Sequence, residues 1–258
     1  MNKYLIWIIG KDQYSEGIIH FLKQNDDFLI ATTNVEYVDD KVRILAPCDM
    51  KSLKADVIIL PYSYNMSIGK FGRVTLDNDF FINQKEALFF TSVLSNYSKI
   101  FADRLGLKIK CFFDLDEVKK VKGEAIVDLV LTSLVEHSEL LLKHTDFAIL
   151  KDDEITPYFI EKFSKLNVKY TLGDNIEELT DNNVIIIPAS YEINKAFIDS
   201  LKQTPIILIN LYEENISFSV IRNGLIKKIY SLRMTKYAKY SYTYAFANSI
   251  TNKLREDN

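Results

Sequence analysis

The stretch Phe147 to Tyr170, FAILKDDEITPYFIEKFSKLNVKY, constrains the fold more than any other part of the chain. Phe147–Leu150 is a short apolar run suited to a buried strand. Thr156-Pro157 reads as a helix start, with threonine capping and proline in the first position, where its missing N–H costs nothing. Phe159, Ile160, Phe163 and Leu166 then fall at helical spacing, and Val168–Leu172 reads as the next strand. Strand, turn, helix and strand in this order make a parallel unit, whose crossover is right-handed. In a dinucleotide-binding unit of this kind the turn carries glycines, so that the backbone can approach a diphosphate held at the helix N-terminus. Here the turn reads Lys151-Asp152-Asp153-Glu154. It has no glycine, and its three carboxylates are expected to occupy the positive end of the helix. Each would repel an anion about 4 Å away by roughly 1 kcal/mol in water and about 4 near a partly dehydrated surface. The turn is not built for a dinucleotide.

The same alternation runs through the chain. Tyr4–Ile9 is a buried-strand pattern ending at Gly10, Tyr14–Leu22 has helical spacing, and Phe28–Ala31 is a second strand. Strands follow at Val57–Leu60, Leu88–Val93 and Lys108–Phe113, with a helix at about Asn96–Leu105. A long helical pattern from about Glu124 to His144 fits a spine between two lobes. Beyond the Phe147 unit lie strands at Val184–Ile187 and Ile206–Asn210 and a helix at Ile193–Lys202. Asn223-Gly224 predicts a tight hairpin between Phe218–Ile221 and Leu225–Tyr230. An amphipathic helix from about Tyr240 to Arg255 closes the chain. LKADVIILPYSYN (53–65) and LTDNNVIIIPASYEIN (179–194) echo one another, each ending a strand with proline and then a serine. Such hydroxyls sit where parallel sheets bind ligands.

Bulk properties exclude several classes. The chain has 258 residues, enough for one large or two modest domains, with 48% apolar and 26% charged content and a net charge of −3. There is no basic excess for nucleic acid, and no apolar run approaches the roughly 20 residues of a membrane span. Cys48 and Cys111 are the only cysteines and stand far apart, so neither a disulfide framework nor a zinc site is implied. The composition predicts a soluble cytoplasmic protein. Its eight glycines are few for an α/β chain of this size.

With this order of elements the chain resembles the A subunit of dipicolinate synthase. The pieces that carry the likeness are IIGKD (8–12), VIILPYS (57–63), LFFTSVLSN (88–96), FFDLDEV (112–118), EHSELLLKHTDFAIL (136–150), VIIIPAS (184–190) and FANSI (246–250). The resemblance implies an α/β fold of two Rossmann-like parallel-sheet lobes joined by a long helix, with the C-terminal helix returning to the first lobe. The expected division is a first, substrate-type lobe at 1–120, a spine at 121–145, a second lobe at 146–238 and a returning helix at 239–258. It implies descent from enzymes of spore formation that oxidise dihydrodipicolinate-type precursors with a nicotinamide cofactor. The family's glycine-rich cofactor turn falls on Lys151 to Thr156, where no glycine remains. Its glycine- and proline-rich stretch falls on Ser231 to Thr235, which has neither. A family asparagine-bearing segment falls near Lys122, and an acidic position on Asp128. The reading is therefore a divergent member that binds no NAD(P) in the ordinary way and acts as a binding or partner subunit. The alternatives are an active NAD(P)-dependent dehydrogenase with atypical cofactor binding, and a sensor of small dicarboxylates. Implied partners are a small carboxylate, a second copy of the chain and a flavoprotein-like B subunit.

The candidate residues divide by chemistry. His137, near Asp128 and Glu136 on the spine, suits a proton carrier near neutral pH, although a spine histidine needs no such role. His137 and His144 are too few for a metal site, and none is expected. Gly10, Ser63, Tyr64, Ser95, Asn96 and Ser190 are candidates for a ligand-binding cleft; as turn and cap residues they also have ordinary structural uses. Asp174 stands about 20 residues past the cofactor turn, where a ribose-binding carboxylate is sought, and without that turn it reads as a loop residue. RMTKYAKYSYTYAF (233–246) alternates basic and aromatic residues as single-strand binders do. It reads better as a helix packed on the first lobe, and no nucleic acid is expected.

Overall fold

The computed structural model describes residues 3–12, 14–62, 64, 66, 68–92, 94–137, 144–187, 199, 206–210, 229–232 and 236–256. The chain divides into two compact units, residues 1–121 with 239–258, and residues 122–238. In chain order the first part runs β1 (Tyr4–Ile8), α1 (Ser15–Leu22), β2 (Phe28–Thr32), β3 (Val42–Ile44), α2 (Pro47–Ser52) and β4 (Val57–Ile59). It continues with β5 (Gly69–Phe71), β6 (Val74–Leu76), α3 (Asn78–Asn83), β7 (Leu88–Thr91), α4 (Asn96–Leu105), β8 (Lys108–Cys111) and α5 (Asp116–His137). Then come β9 (Phe147–Leu150), α6 (Thr156–Leu166), β10 (Tyr170–Gly173), β11 (Val184–Ile187), β12 (Ile206–Asn210), β13 (Ile229–Leu232) and α7 (Lys236–Glu256).

The first unit is built on a six-stranded sheet in the order β3-β2-β1-β4-β7-β8, parallel throughout. Successive side chains of a strand face opposite sides of the sheet, and both sides here are apolar. Trp7, Ile58 and Phe89 belong to one core with Met50, Phe80, Phe81 and Ala102 from the helices. On the other side Phe90 meets Phe246 of α7 at 5.0 Å between ring centres, and Phe112 meets the same ring at 5.0 Å. Gly17 allows α7 to approach α1, because a Cβ there would lie 2.5 Å from Thr243 Oγ1. The end of α7 is fastened by Tyr4, whose hydroxyl donates to the Leu254 carbonyl at 2.6 Å. Ser249 donates to Glu117 Oε2 at 2.9 Å.

The second unit carries a five-stranded sheet in the order β10-β9-β11-β12-β13, also parallel. Ile126, Val127, Val130 and Leu134 of α5 pack with Phe159 and Phe163 of α6 on Phe147, Ile149, Val184 and Ile186. Each fully buried phenylalanine is worth about 2 kcal/mol of transfer free energy. The two helices meet at Gly123, where a Cβ would fall 2.1 Å from the Tyr158 ring. The apolar face of α5 is this contact surface.

The structure corrects some expected boundaries. The long helix begins at Asp116 instead of near Glu124, because the acidic Asp116-Glu117 pair forms its first turn, where carboxylates favour the positive helix end. The strand expected at Val168–Leu172 lies at Tyr170–Gly173. Of the strand expected at Leu225–Tyr230 the structure describes Ile229–Leu232, which pairs parallel with β12. Asn223-Gly224, Phe218–Ile221 and most of the helix expected at Ile193–Lys202 fall outside the described residues. In the first unit β3, α2, the β5–β6 pair and α3 were not expected at all. Among the described residues no helix is long and apolar enough to cross a membrane.

Candidate functional site

In an open parallel sheet, ligands bind beyond the carboxyl ends of the strands, where the strand order reverses. Each unit has one such place. In the first it lies between β1 and β4, and in the second between β9 and β11.

The first corner follows β1. Gly10 adopts φ +84°, and a Cβ on it would lie 2.8 Å from Pro61 Cγ, so only glycine fits without strain. Its amide, which a close-approaching ligand would use, donates instead to Thr33 Oγ1 at 2.7 Å. Two residues on, Asp12 closes the helix start. Its Oδ1 accepts from the amides of Tyr14 (2.8 Å) and Ser15 (3.0 Å), and its Oδ2 accepts from the Tyr62 amide after β4 (2.9 Å). One carboxylate thus caps α1 and ties it to the neighbouring strand's end. Beside it is an open depression of ≈ 300 Å³ whose lining includes Tyr14, Tyr62, Thr91, Ser92, Phe112 and Phe246. Its rings crowd one another, Tyr14 standing 5.2 Å from Tyr62 and 5.6 Å from Phe112. Among the described residues its lining carries the hydroxyls of Tyr14, Ser15, Tyr62, Thr91 and Ser92, groups suited to recognition.

The second corner follows β9, and there the sequence expectation is refined. Of the three carboxylates in the turn, one is seated on the helix. Asp152 Oδ1 accepts from the amides of Glu154 and Ile155, each at 3.0 Å. Thr156 does not cap α6. Its hydroxyl accepts from the Asp152 amide at 2.8 Å, closing a box within the turn. Glu154 turns to Lys122, 3.5 Å away, and Asp174 takes both contacts from Lys151 Nζ at 2.9 and 3.0 Å. The space behind the turn is apolar, lined by Ile149, Ile155, Phe159, Ile186 and Ile187 among others. A diphosphate would have to displace Asp152 from amides it already holds, beside carboxylates of like charge.

The remaining candidates scatter. Tyr64 packs its ring 5.4 Å from Phe71, and burial pushes its phenol above the ordinary tyrosine value. Ser95 is the N-cap of α4, accepting from the Ser98 amide at 3.1 Å, and Asn96 is that helix's first residue. Asp128 accepts from Lys162 Nζ at 2.8 Å in an exposed pair between α5 and α6. His137 is the last residue of α5, and His144 is exposed. Ser63 and Ser190 lie outside the described residues. Among the described residues no group of three or more histidines, cysteines or acids could hold a metal. Asp12 is the residue that sequence reasoning missed. Its signal was an acid just ahead of Tyr14, where the helical spacing begins.

Two parallel sheets with these strand orders, each with a helix start at its reversal point, match solved structures. The fold resembles that of the A subunit of dipicolinate synthase. The A chain of the Bacillus subtilis enzyme superposes with a TM-score of 0.77 at 16% identity, covering 99% of this chain and 97% of that one. The corresponding dipicolinate synthase chain of Bacillus halodurans follows at 0.74 and 12%, covering 98% of each. An NADPH-dependent glyoxylate/hydroxypyruvate reductase from Sinorhizobium meliloti superposes at 0.59 and 11%, covering 98% of this chain and 93% of that one. No family model and no curated protein matches the sequence. At these identities the likeness to dipicolinate synthase is one of fold.

Proposed function

We propose that this chain is a divergent dipicolinate synthase A-like protein that binds no NAD(P) in the ordinary way and serves as a binding or partner subunit. The observation that carries the reading is the Asp152 carboxylate seated on the Glu154 and Ile155 amides, in a turn without glycine, at the corner where a dinucleotide-binding fold holds its diphosphate. The fold likeness to the dipicolinate synthase chains supplies the ancestry, and the corner supplies the departure from it. The small carboxylate ligand and the flavoprotein-like B subunit belong to the same reading.

Calorimetric titration of the full chain with NAD and with NADP tests it. Neither cofactor is expected to bind more tightly than about 1 mM. Micromolar affinity overturns the proposal. Turnover of a dihydrodipicolinate-type precursor with either cofactor would establish instead the alternative of an active dehydrogenase that holds its cofactor in another way.

A further inference from the structure

A second concavity in the first unit lies away from both corners. It is an open groove between the outer face of α1, the loop after β2 and the start of α7. Tyr37 and Tyr240 both line it, with Val38 and Ile19 adding apolar surface. Tyr240 is 42% exposed, and its ring stands 5.6 Å from His20 and 4.9 Å from Phe21. An aromatic face left open on a packed helix is a surface to which flat or cationic groups are drawn.

The charges around the groove have a definite balance. Lys23 is held by Asp39 at 2.7 Å, and Glu36 is held by Lys11. Glu16, in the first turn of α1, also lines the groove and makes no ion pair among the described residues. Burial, and then the neighbouring Glu16, push the Tyr37 phenol above its ordinary value, so its hydroxyl stays a donor and adds no charge. Among the described residues, Glu16 thus has no ion-pair partner beside walls that include Tyr37, Tyr240 and His20, while Lys23 and Lys11 are paired with acids. An anionic ligand would meet the carboxylates of Glu16, Glu36 and Asp39. A cation with an apolar body would meet Glu16 at its charged end and the tyrosine faces along its length.

The geometry points to a binding site for a small organic cation with a flat or apolar body, of the amine, amidine or guanidine class, held between Glu16 and the rings of Tyr37 and Tyr240. The site is independent of the nucleotide reading, since none of its residues belongs to either corner. Benzylamine and the uncharged benzyl alcohol, titrated into the isotopically labelled full chain and followed by amide NMR, are the probes. Benzylamine is expected to shift the amides of Glu16, Val38 and Tyr240, and to bind about fivefold more tightly than benzyl alcohol. Glu16→Gln, a shape-conserving change at an exposed position, is expected to bring the two probes to equal affinity. Tyr240→Leu keeps the apolar volume and is expected to weaken benzylamine about threefold, whereas Glu86→Gln, on the exposed turn before β7, leaves both probes unchanged. Equal binding of the two probes to the unaltered chain overturns the site. So do shifts confined elsewhere, or no shift up to about 10 mM benzylamine.

Discussion

The corner after β1 and the corner after β9 meet the same physical demand with different parts. Each must satisfy the orphan amides at the start of a helix that follows a parallel strand. Each does so with an aspartate, Asp12 in one and Asp152 in the other, and each thereby places a negative charge of its own where the helix end favours an anion. The first corner keeps a glycine in the left-handed region, packs it on Pro61, and uses the second oxygen of its aspartate to reach the Tyr62 amide on another strand's end. The second is local. The bonds of Asp152 run among residues 152 to 156, and Glu154 pairs with Lys122. The first corner is therefore part of the sheet's tertiary structure, while the second is a turn that closes on itself. Only the second can lose its aspartate without breaking a bond to another strand's end.

That contrast predicts unequal costs. Gly10→Ala forces a side chain into φ +84° and against Pro61 Cγ, and is expected to destabilise by about 3 kcal/mol. Lys151→Gly, which asks the second corner to accept a glycine, is expected to cost less than about 1 kcal/mol. Urea unfolding of the two variants measures both, and equal midpoints would erase the distinction. Removing the aspartates gives the next step down. Asp12→Ala strands three amides, two in the helix start and one after β4, for about 2 kcal/mol, while Asp152→Ala strands two in an exposed turn for about 1. If Asp152→Ala proved the more costly, the second corner would be the structural one.

How far the sequence announced all this depends on the length of the interactions. β9, β11, β12 and α4 lie where the residue pattern placed them, because an unbroken apolar run or a capped amphipathic turn is a local signal. β3 and β5 were invisible, since VRI buries one residue of three and GKF buries none fully. That β13 joins β12 in parallel is a choice made by the sheet and not by the residues of β13 alone. At the candidate site the acidity of the second turn was plain. Which acid would hold the amides was not, because three stood within reach. The capping bonds of Asp12 to Tyr14 and Ser15 had a local signal, but its third bond reaches a residue fifty positions away, and no local pattern encodes that.

The smallest expected effect tests whether the second corner is as self-contained as its bonds suggest. Glu154 is 64% exposed and stands 3.5 Å from Lys122 on α5, so the pair works mostly in water. Exposed pairs of this kind contribute little, because solvent and salt screen the attraction and both side chains lose freedom. Glu154→Gln is expected to change unfolding free energy by less than about 0.5 kcal/mol at low ionic strength, and by nothing measurable in about 1 M salt. A loss above about 1 kcal/mol that survives salt would mean that Glu154 anchors the turn to α5. The acidic run would then be a structural clasp like Asp12, and the two corners would differ in position along the chain but not in kind.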